Sequence, residues 1–141
     1  MRSLVFLTMI FFYTNLFGQI RTDNNIPIDI LKQLDKIGDR LPMLNFYESA
    51  FLNTIFKDAS NDFDFANKKI GFIKNSAKSS KVDYFTMQKK HLANKKNPLD
   101  NGALYVFNET QKKESGGYDA AIVYWNKFVM PIDKVVKCLN K

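Results

Sequence analysis

Residues 102–125 have the sequence GALYVFNETQKKESGGYDAAIVYW, and this stretch decides the fold that the sequence predicts. Residues 103–108 and 118–125 are rich in β-branched and aromatic side chains, and the polar segment between them contains Gly116 and Gly117. Two apolar runs joined by a polar, glycine-containing segment are typical of a β-hairpin. The stretch therefore predicts two antiparallel strands joined by a long loop.

The second of these strands is apolar on both faces. Because side chains alternate along a strand, Ile122 and Tyr124 face one side of the sheet, and Val123 and Trp125 face the other. A strand that is covered on both sides lies inside a layered domain. We therefore expect Val123 and Trp125 to belong to the core.

Helical patterns flank this hairpin. Apolar stripes with a period near 3.6 predict four helices: at residues 28–41, at about 42–57, at 81–93 and after Pro131. Asp39 is the expected cap of the second helix. In the third helix, Val82, Phe85 and Leu92 are expected to face inward. A further short strand is expected at residues 70–73, after a bend near Asn67, and a loop at residues 74–80. The order of elements predicts an α+β domain: a small, mainly antiparallel sheet of about three strands, with helices packed against one face.

The N-terminus has the layout of a cleavable signal peptide. Arg2 gives a short positive region, residues 4–17 carry no charge and are mostly apolar, and Gly18 is a small residue suited to cleavage. This run is shorter than the roughly 18–20 residues that span a bilayer. We therefore predict a signal peptide at residues 1–18, a single α+β domain at residues 19–141, a secreted or periplasmic location, and no membrane span after cleavage.

The positive charge is concentrated in one block. The formal net charge is +7, and residues 68–97 contain nine lysines and one acid, Asp83. The candidates for binding a polyanion are Lys89, Lys90, Lys95 and Lys96. Arginine is absent after Arg40, and arginine is the residue that recognises phosphates and bases in a bidentate manner, so nucleic acid is not favoured. An anionic glycan, an anionic envelope surface or an acidic protein would suit the block, and an ordinary solvated lysine face is the simpler interpretation.

Signals for metal or covalent chemistry are sparse. Cys138 is the single cysteine and His91 the single histidine, so a thiolate pair is excluded and a zinc or copper site is disfavoured. We expect no metal and no cofactor, a solvated His91, and a buried or half-buried Cys138. The acidic run at residues 58–64 lacks the Gly and Glu of a calcium loop and is interpreted as a turn.

The only polar constellation with catalytic potential surrounds the glycine pair. Glu114, Tyr118 and Asp119 are weak candidates for acid–base work, because two carboxylates and a phenol follow one another at a strand end. The simpler interpretation is a turn in which Asp119 bonds backbone amides. The sequence thus favours a binding or interaction module over an enzyme. The alternatives are a small secreted hydrolase that uses the carboxylates at residues 114–119, and an inhibitor or immunity-type protein.

Overall fold

The computed structural model describes residues 43–57, 63–97 and 102–141. Within these ranges the chain forms four helices and four strands. In chain order they are α1 (Phe46–Ile55), β1 (Ile70–Lys74), β2 (Ala77–Lys78), α2 (Lys81–Ala93), β3 (Gly102–Val106), α3 (Glu109–Glu114), β4 (Ala120–Tyr124) and α4 (Ile132–Leu139). The predicted helix at residues 28–41 lies outside the described residues, as does the acidic run apart from its last two positions.

The four strands form one sheet in the order β2-β1-β4-β3. Strands β3 and β4 pair antiparallel, with Leu104 opposite Ile122, so the predicted hairpin is confirmed. Strand β4 also pairs with β1, in parallel, and Phe72 lies opposite Ile122 in that pairing. Two of the three pairings are antiparallel, and the predicted α+β class with a small, mainly antiparallel sheet is confirmed.

The fourth strand was missed in the sequence, where residues 74–80 were interpreted as a loop. Strand β2 pairs antiparallel with the end of β1 through a tight turn at Asn75 and Ser76. Both turn residues have positive φ, 50° and 65°, the backbone that a two-residue hairpin requires. The strand has only two residues, too few to show alternation.

Helices cover both faces of the sheet, so the expectation that they pack on one face was wrong. Helices α1 and α2 pack on the face that carries Phe72, Ile122 and Tyr124. Helix α4 packs on the opposite face, against Ile73 and Val123. The physical reason is that β4, buried along its whole length, has two apolar faces, and each needs a cover.

Helix α1 begins at Phe46 and is capped by Asn45, not by Asp39 as the sequence suggested. The Asn45 side chain accepts a hydrogen bond from the Glu48 amide, and the Glu48 carboxylate accepts one from the Asn45 amide, each at 2.8 Å. This reciprocal pair is a capping box. The predicted bend is confirmed at Asn67, whose φ is 61°.

Helix α2 spans the predicted residues and begins after Ser80, whose side chain accepts a hydrogen bond from the Asp83 amide. Its buried face differs in part from the predicted one. Phe85 is buried as expected, Val82 and Leu92 are only half-buried, and Tyr84 and His91 are buried instead. The expectation of a solvated His91 was therefore wrong, because the helix turns this side chain inward.

Two other predictions about element ends are settled by the structure. The connection between β3 and β4 contains helix α3, which starts with a capping box between Asn108 and Gln111, where a loop was expected. Cys138 on helix α4 is buried, as predicted.

None of the helices in the described ranges has the length and apolar character that crossing a membrane requires.

Trp125 does not belong to the core, contrary to the prediction. Val123 is 4% exposed, but Trp125 is 45% exposed and has a φ of 57°. Alternation holds only while the chain stays extended, and β4 ends at Tyr124. The positive φ turns the indole out of the sheet at the end of the strand.

Candidate binding groove

A groove lies where the two parallel central strands end. Because β1 and β4 run in the same direction, Lys74 at the end of β1 and Trp125 just after β4 reach the same edge of the sheet. Ligands of open sheets that contain parallel strands commonly bind outside their carboxyl ends. The groove has a volume of about 280 Å³. The side chains that matter for its chemistry are Lys74, Asp83, Lys90, His91, Lys96 and Trp125.

Trp125 is the large apolar surface of this groove. The Nζ atom of Lys74 lies 4.8 Å from the centroid of the indole ring, a cation–π contact that holds the ring beside the strand end. A positive φ is uncommon for a bulky residue and costs about 1–3 kcal/mol. Such strain persists where surrounding structure imposes it, and it is concentrated at ligand sites.

Asp83 lines the groove and is held by a network of hydrogen bonds. The Tyr124 hydroxyl donates to Asp83 Oδ2 at 2.6 Å, and Lys74 Nζ lies 3.4 Å from the same carboxylate. The hydrogen bond from Tyr124 lowers the pKa of Asp83 against the opposing effect of burial, and Lys74 lowers it further. Burial and the bond to Asp83 raise the pKa of Tyr124. The carboxylate therefore stays ionised and serves to fix Lys74 and Tyr124.

His91 is a buried residue beside the groove. The residue is 9% exposed, and its Nδ1 atom is buried without a hydrogen-bond partner among the described residues. Buried polar atoms are nearly always paired, so an unpaired one at a groove calls for a physical explanation. The Lys96 amide donates to the His91 carbonyl at 2.8 Å, which holds the Lys96 backbone at the same end of helix α2.

The four lysines proposed from the sequence have different positions. Lys90 and Lys96 line the groove, whereas Lys89 and Lys95 do not. Lys89 is half-buried, and Lys95 is exposed with a φ of 56°. The groove thus combines three lysines with one carboxylate that is already paired, and its net field is positive.

The rest of the lysine block has structural partners. Lys81 is buried and its Nζ atom lies 3.0 Å from Glu48 Oε1. Lys69 and Lys78 approach the ring of Tyr118, with Nζ atoms 4.4 and 5.7 Å from its centroid. The block that is continuous in the sequence is therefore divided in space.

The weak catalytic candidates around the glycine pair have different partners in the structure. Asp119 accepts a hydrogen bond from the Lys69 amide at 2.8 Å and pairs with Lys112 Nζ at 2.9 Å. Burial raises the pKa of Asp119, but these two partners outweigh it and hold the pKa below its ordinary value. Tyr118 lies under the ammonium of Lys69. Glu114 lines a separate cavity of about 370 Å³, which neither Tyr118 nor Asp119 lines.

The turn itself explains why these residue types occur there. Ser115 is buried, and its hydroxyl donates to the Lys112 carbonyl and accepts from the Tyr118 amide. Gly116 and Gly117 have φ values of 95° and 96°, a backbone that favours glycine. Ser115 and the glycine pair thus serve the path of the chain between α3 and β4.

Trp125, Lys74 and His91 were not recognised as site residues from the sequence. Their proximity depends on the parallel pairing of β1 with β4, and no local sequence pattern predicts this pairing. One signal was readable: a tryptophan at the end of an apolar strand, followed at once by the polar Asn126 and Lys127.

Within residues 43–57, 63–97 and 102–141, no cluster of three or more His, Cys, Asp or Glu side chains forms a possible metal site.

The fold and the groove define a small α+β domain with a basic, tryptophan-lined cleft at the end of its central strands. The chain belongs to a family described as a domain of unknown function (DUF8192), whose model matches residues 40–141. No curated protein and no solved structure matches the chain.

Proposed function

We propose that this protein is an exported binding domain whose groove takes an anionic glycan, a saccharide that carries carboxylate or sulfate groups. The observation that carries the proposal is the position of an exposed tryptophan beside three lysines in one groove. Each of these features suits one part of such a ligand.

The indole ring suits the apolar face of a sugar ring. Trp125 presents roughly half of its surface to solvent, and covering it with the C–H face of a saccharide removes apolar area from water. The ammonium groups of Lys90 and Lys96 suit carboxylate or sulfate substituents. Lysine acts as a flexible point charge and does not demand the planar geometry that arginine needs, which fits a ligand with irregularly placed anions.

The groove supports this function better than the hydrolase alternative. A two-carboxylate mechanism at residues 114–119 needs Glu114 and Asp119 to face one substrate, whereas Asp119 is paired with Lys112 and the Lys69 amide. The inhibitor or immunity-type alternative would use the same lysines against an acidic protein. Contact with sugar rings distinguishes the two ligands, because an acidic protein surface does not require stacking on Trp125.

The binding experiment uses the intrinsic fluorescence of Trp125, the single tryptophan in the chain. Purified protein is titrated with a sulfated glycan, heparin oligosaccharide, with a carboxylated one, oligogalacturonate, and with neutral dextran. We expect a saturable change with an anionic glycan that weakens as salt is added, because salt screens exposed charges. No response to either anionic glycan, or the same response to dextran, would refute the proposal.

A matched pair of variants assigns the binding to the groove. Lys90→Gln with Lys96→Gln should weaken binding about two- to thirtyfold, since an exposed ion pair contributes about 0.2–1 kcal/mol. Lys57→Gln with Lys113→Gln removes the same charge from exposed positions outside the groove and should change the affinity little. Trp125→Ala, followed by calorimetry, should weaken glycan binding. An unchanged affinity would indicate purely ionic contact, as with an acidic protein.

Export rests on the layout of residues 1–18, a short basic start followed by an uncharged apolar run and Gly18. We expect the mature chain to begin near Gln19. Mass spectrometry of the protein recovered outside the cytoplasm measures this start directly. Recovery of an intact Met1 on a membrane-embedded product would contradict it.

A further inference from the structure

A second surface, at the loop that connects β4 to α4, exposes apolar side chains among lysines. Phe128 is 75% exposed and Val129 is 91% exposed, and they are adjacent in the loop between β4 and α4. Residues 127–131 are called here the apolar loop. Single exposed apolar residues are ordinary on protein surfaces, but neighbouring ones rimmed by polar residues mark a contact site for a protein or a membrane.

The apolar loop is fixed at both ends, so the exposure is built into the fold. The Asn126 side chain accepts a hydrogen bond from the Ser76 amide at 2.9 Å and donates to the Ser76 hydroxyl at 3.2 Å. At the other end, Met130 is buried and its carbonyl accepts a hydrogen bond from the Tyr105 hydroxyl at 2.7 Å. The anchored ends leave Phe128 and Val129 projecting between them.

Positive charge surrounds this apolar tip. A depression of about 660 Å³ beside the loop is lined by Phe128 and Val129 together with Lys127, Lys134, Lys137 and Lys141. Lys134 and Lys137 are three residues apart on helix α4, the spacing of one helix face, and Lys141 follows the end of that helix. No acidic side chain of the described residues lines the depression, and Asp133 lines a different cavity, beside Glu114.

We propose that the apolar loop docks the protein onto an anionic lipid bilayer, with Phe128 and Val129 entering the interface and the four lysines facing lipid headgroups. Apolar side chains ringed by lysines are the combination that peripheral membrane binding uses, because insertion and headgroup attraction add. Charge complementarity selects this occupant, since each lysine near an anionic leaflet strengthens binding about fivefold. The proposal rests on residues that the glycan groove does not use.

Vesicle co-sedimentation tests it. Purified protein is mixed with vesicles of phosphatidylglycerol and phosphatidylcholine, or of phosphatidylcholine alone, at low and at high salt. We expect binding to the anionic vesicles that falls with salt, and little binding to phosphatidylcholine. Phe128→Ser with Val129→Ser should weaken the binding at least about tenfold. Phe46→Ser is the matched control, because Phe46 is also 75% exposed but lies on helix α1.

A charge-matched pair tests the lysines. Lys134→Gln with Lys137→Gln should weaken binding to anionic vesicles about twenty-fivefold, whereas Lys57→Gln with Lys113→Gln should have little effect. Equal sedimentation of the parent, the Phe128 and Val129 double variant and the Lys134 and Lys137 double variant would overturn the proposal. Binding through residues 4–17 alone would give this result.

A second measurement locates the contact and does not depend on affinity. Trp125→Phe with Phe128→Trp places the only tryptophan at the tip of the loop. A blue shift of its emission with anionic vesicles, absent with phosphatidylcholine, is expected if the tip enters the interface. An unshifted emission from vesicle-bound protein would refute insertion of the loop. Failure here leaves glycan binding untouched, because the glycan titration contains no lipid.

Discussion

Replacing Lys81 by Met should be among the most destabilising single changes in the chain. Lys81 belongs to the lysine block of the sequence, yet the structure buries it at 7% exposure beside Glu48 at 1%. Its Nζ atom donates to Glu48 Oε1 at 3.0 Å and to the Met43 carbonyl at 2.9 Å. The ion pair joins the start of α2 to helix α1 and thereby links two parts of one core.

The magnitude follows from what the change leaves behind. Met fills most of the volume of Lys but removes the charge, so the Glu48 carboxylate stays buried with only the Asn45 amide bonded to it, and its Oε2 atom has no partner among the described residues. Removing one member of a buried ion pair costs about 3–5 kcal/mol. Since a domain has a free energy of unfolding of about 5–15 kcal/mol, Lys81→Met should lose a large part of its stability.

Urea denaturation followed by circular dichroism measures the loss. Lys57→Met is the control, because Lys57 is exposed and its replacement should cost no more than about 0.5 kcal/mol. The double variant Lys81→Met with Glu48→Leu removes both charges and should recover much of the stability, minus about 1 kcal/mol for the lost capping box. A loss within about 0.5 kcal/mol for Lys81→Met would refute the reasoning. So would a double variant whose cost equals the sum of the two single costs.

Three other changes test the remaining parts of the structure. Val123→Ala should cost about 2 kcal/mol or more of unfolding free energy, whereas Trp125→Ala should cost about 1 kcal/mol or less, and urea denaturation of both variants would contradict the structure if the order were reversed. Gly71→Ala should cost about 1–3 kcal/mol, because its Cβ would lie 2.5 Å from a methyl carbon of Leu139, and a neutral effect in thermal unfolding would refute this close packing. The pKa of Asp119 is lowered in the folded protein, so its ionised carboxylate stabilises the fold above the ordinary pKa of 3.8, and this stability is lost as the pH falls through the folded pKa. The difference in unfolding free energy between the parent and Asp119→Asn should therefore shrink below about pH 3.8. A constant difference would argue against the pairing.

The elements that were predicted correctly are those with strong local patterns. The hairpin of β3 and β4 follows from two apolar runs, and helix α2 from its periodicity after Ser80. Helix α3 was interpreted as a loop because the glycine pair dominated that segment, although Asn108 followed three residues later by Gln111 is a readable capping signal. The spacing of these two residues therefore indicates the start of a helix.

Only some residues of the candidate site could be predicted from the sequence. Lys90 and Lys96 were chosen for their charge and do line the groove, and Lys81 shows the limit of that argument. A lysine that binds solvent and one that pairs with a buried carboxylate look the same in a charge count. Burial decides between them, and burial depends on which helices meet.

The sequence by itself determined the α+β class, the antiparallel hairpin and the helix boundaries near residues 81–93, because each depends on periodicity among neighbouring residues. Only the tertiary structure decided that β1 lies parallel to β4, a pairing that brings Lys69 and Asp119 into contact across 50 positions. The tertiary structure also decided that Trp125 lies outside the core and that Lys74, His91 and Trp125 line one groove. These features come from contacts between distant segments and from one positive φ at a strand end, and neither produces a periodic pattern in the sequence.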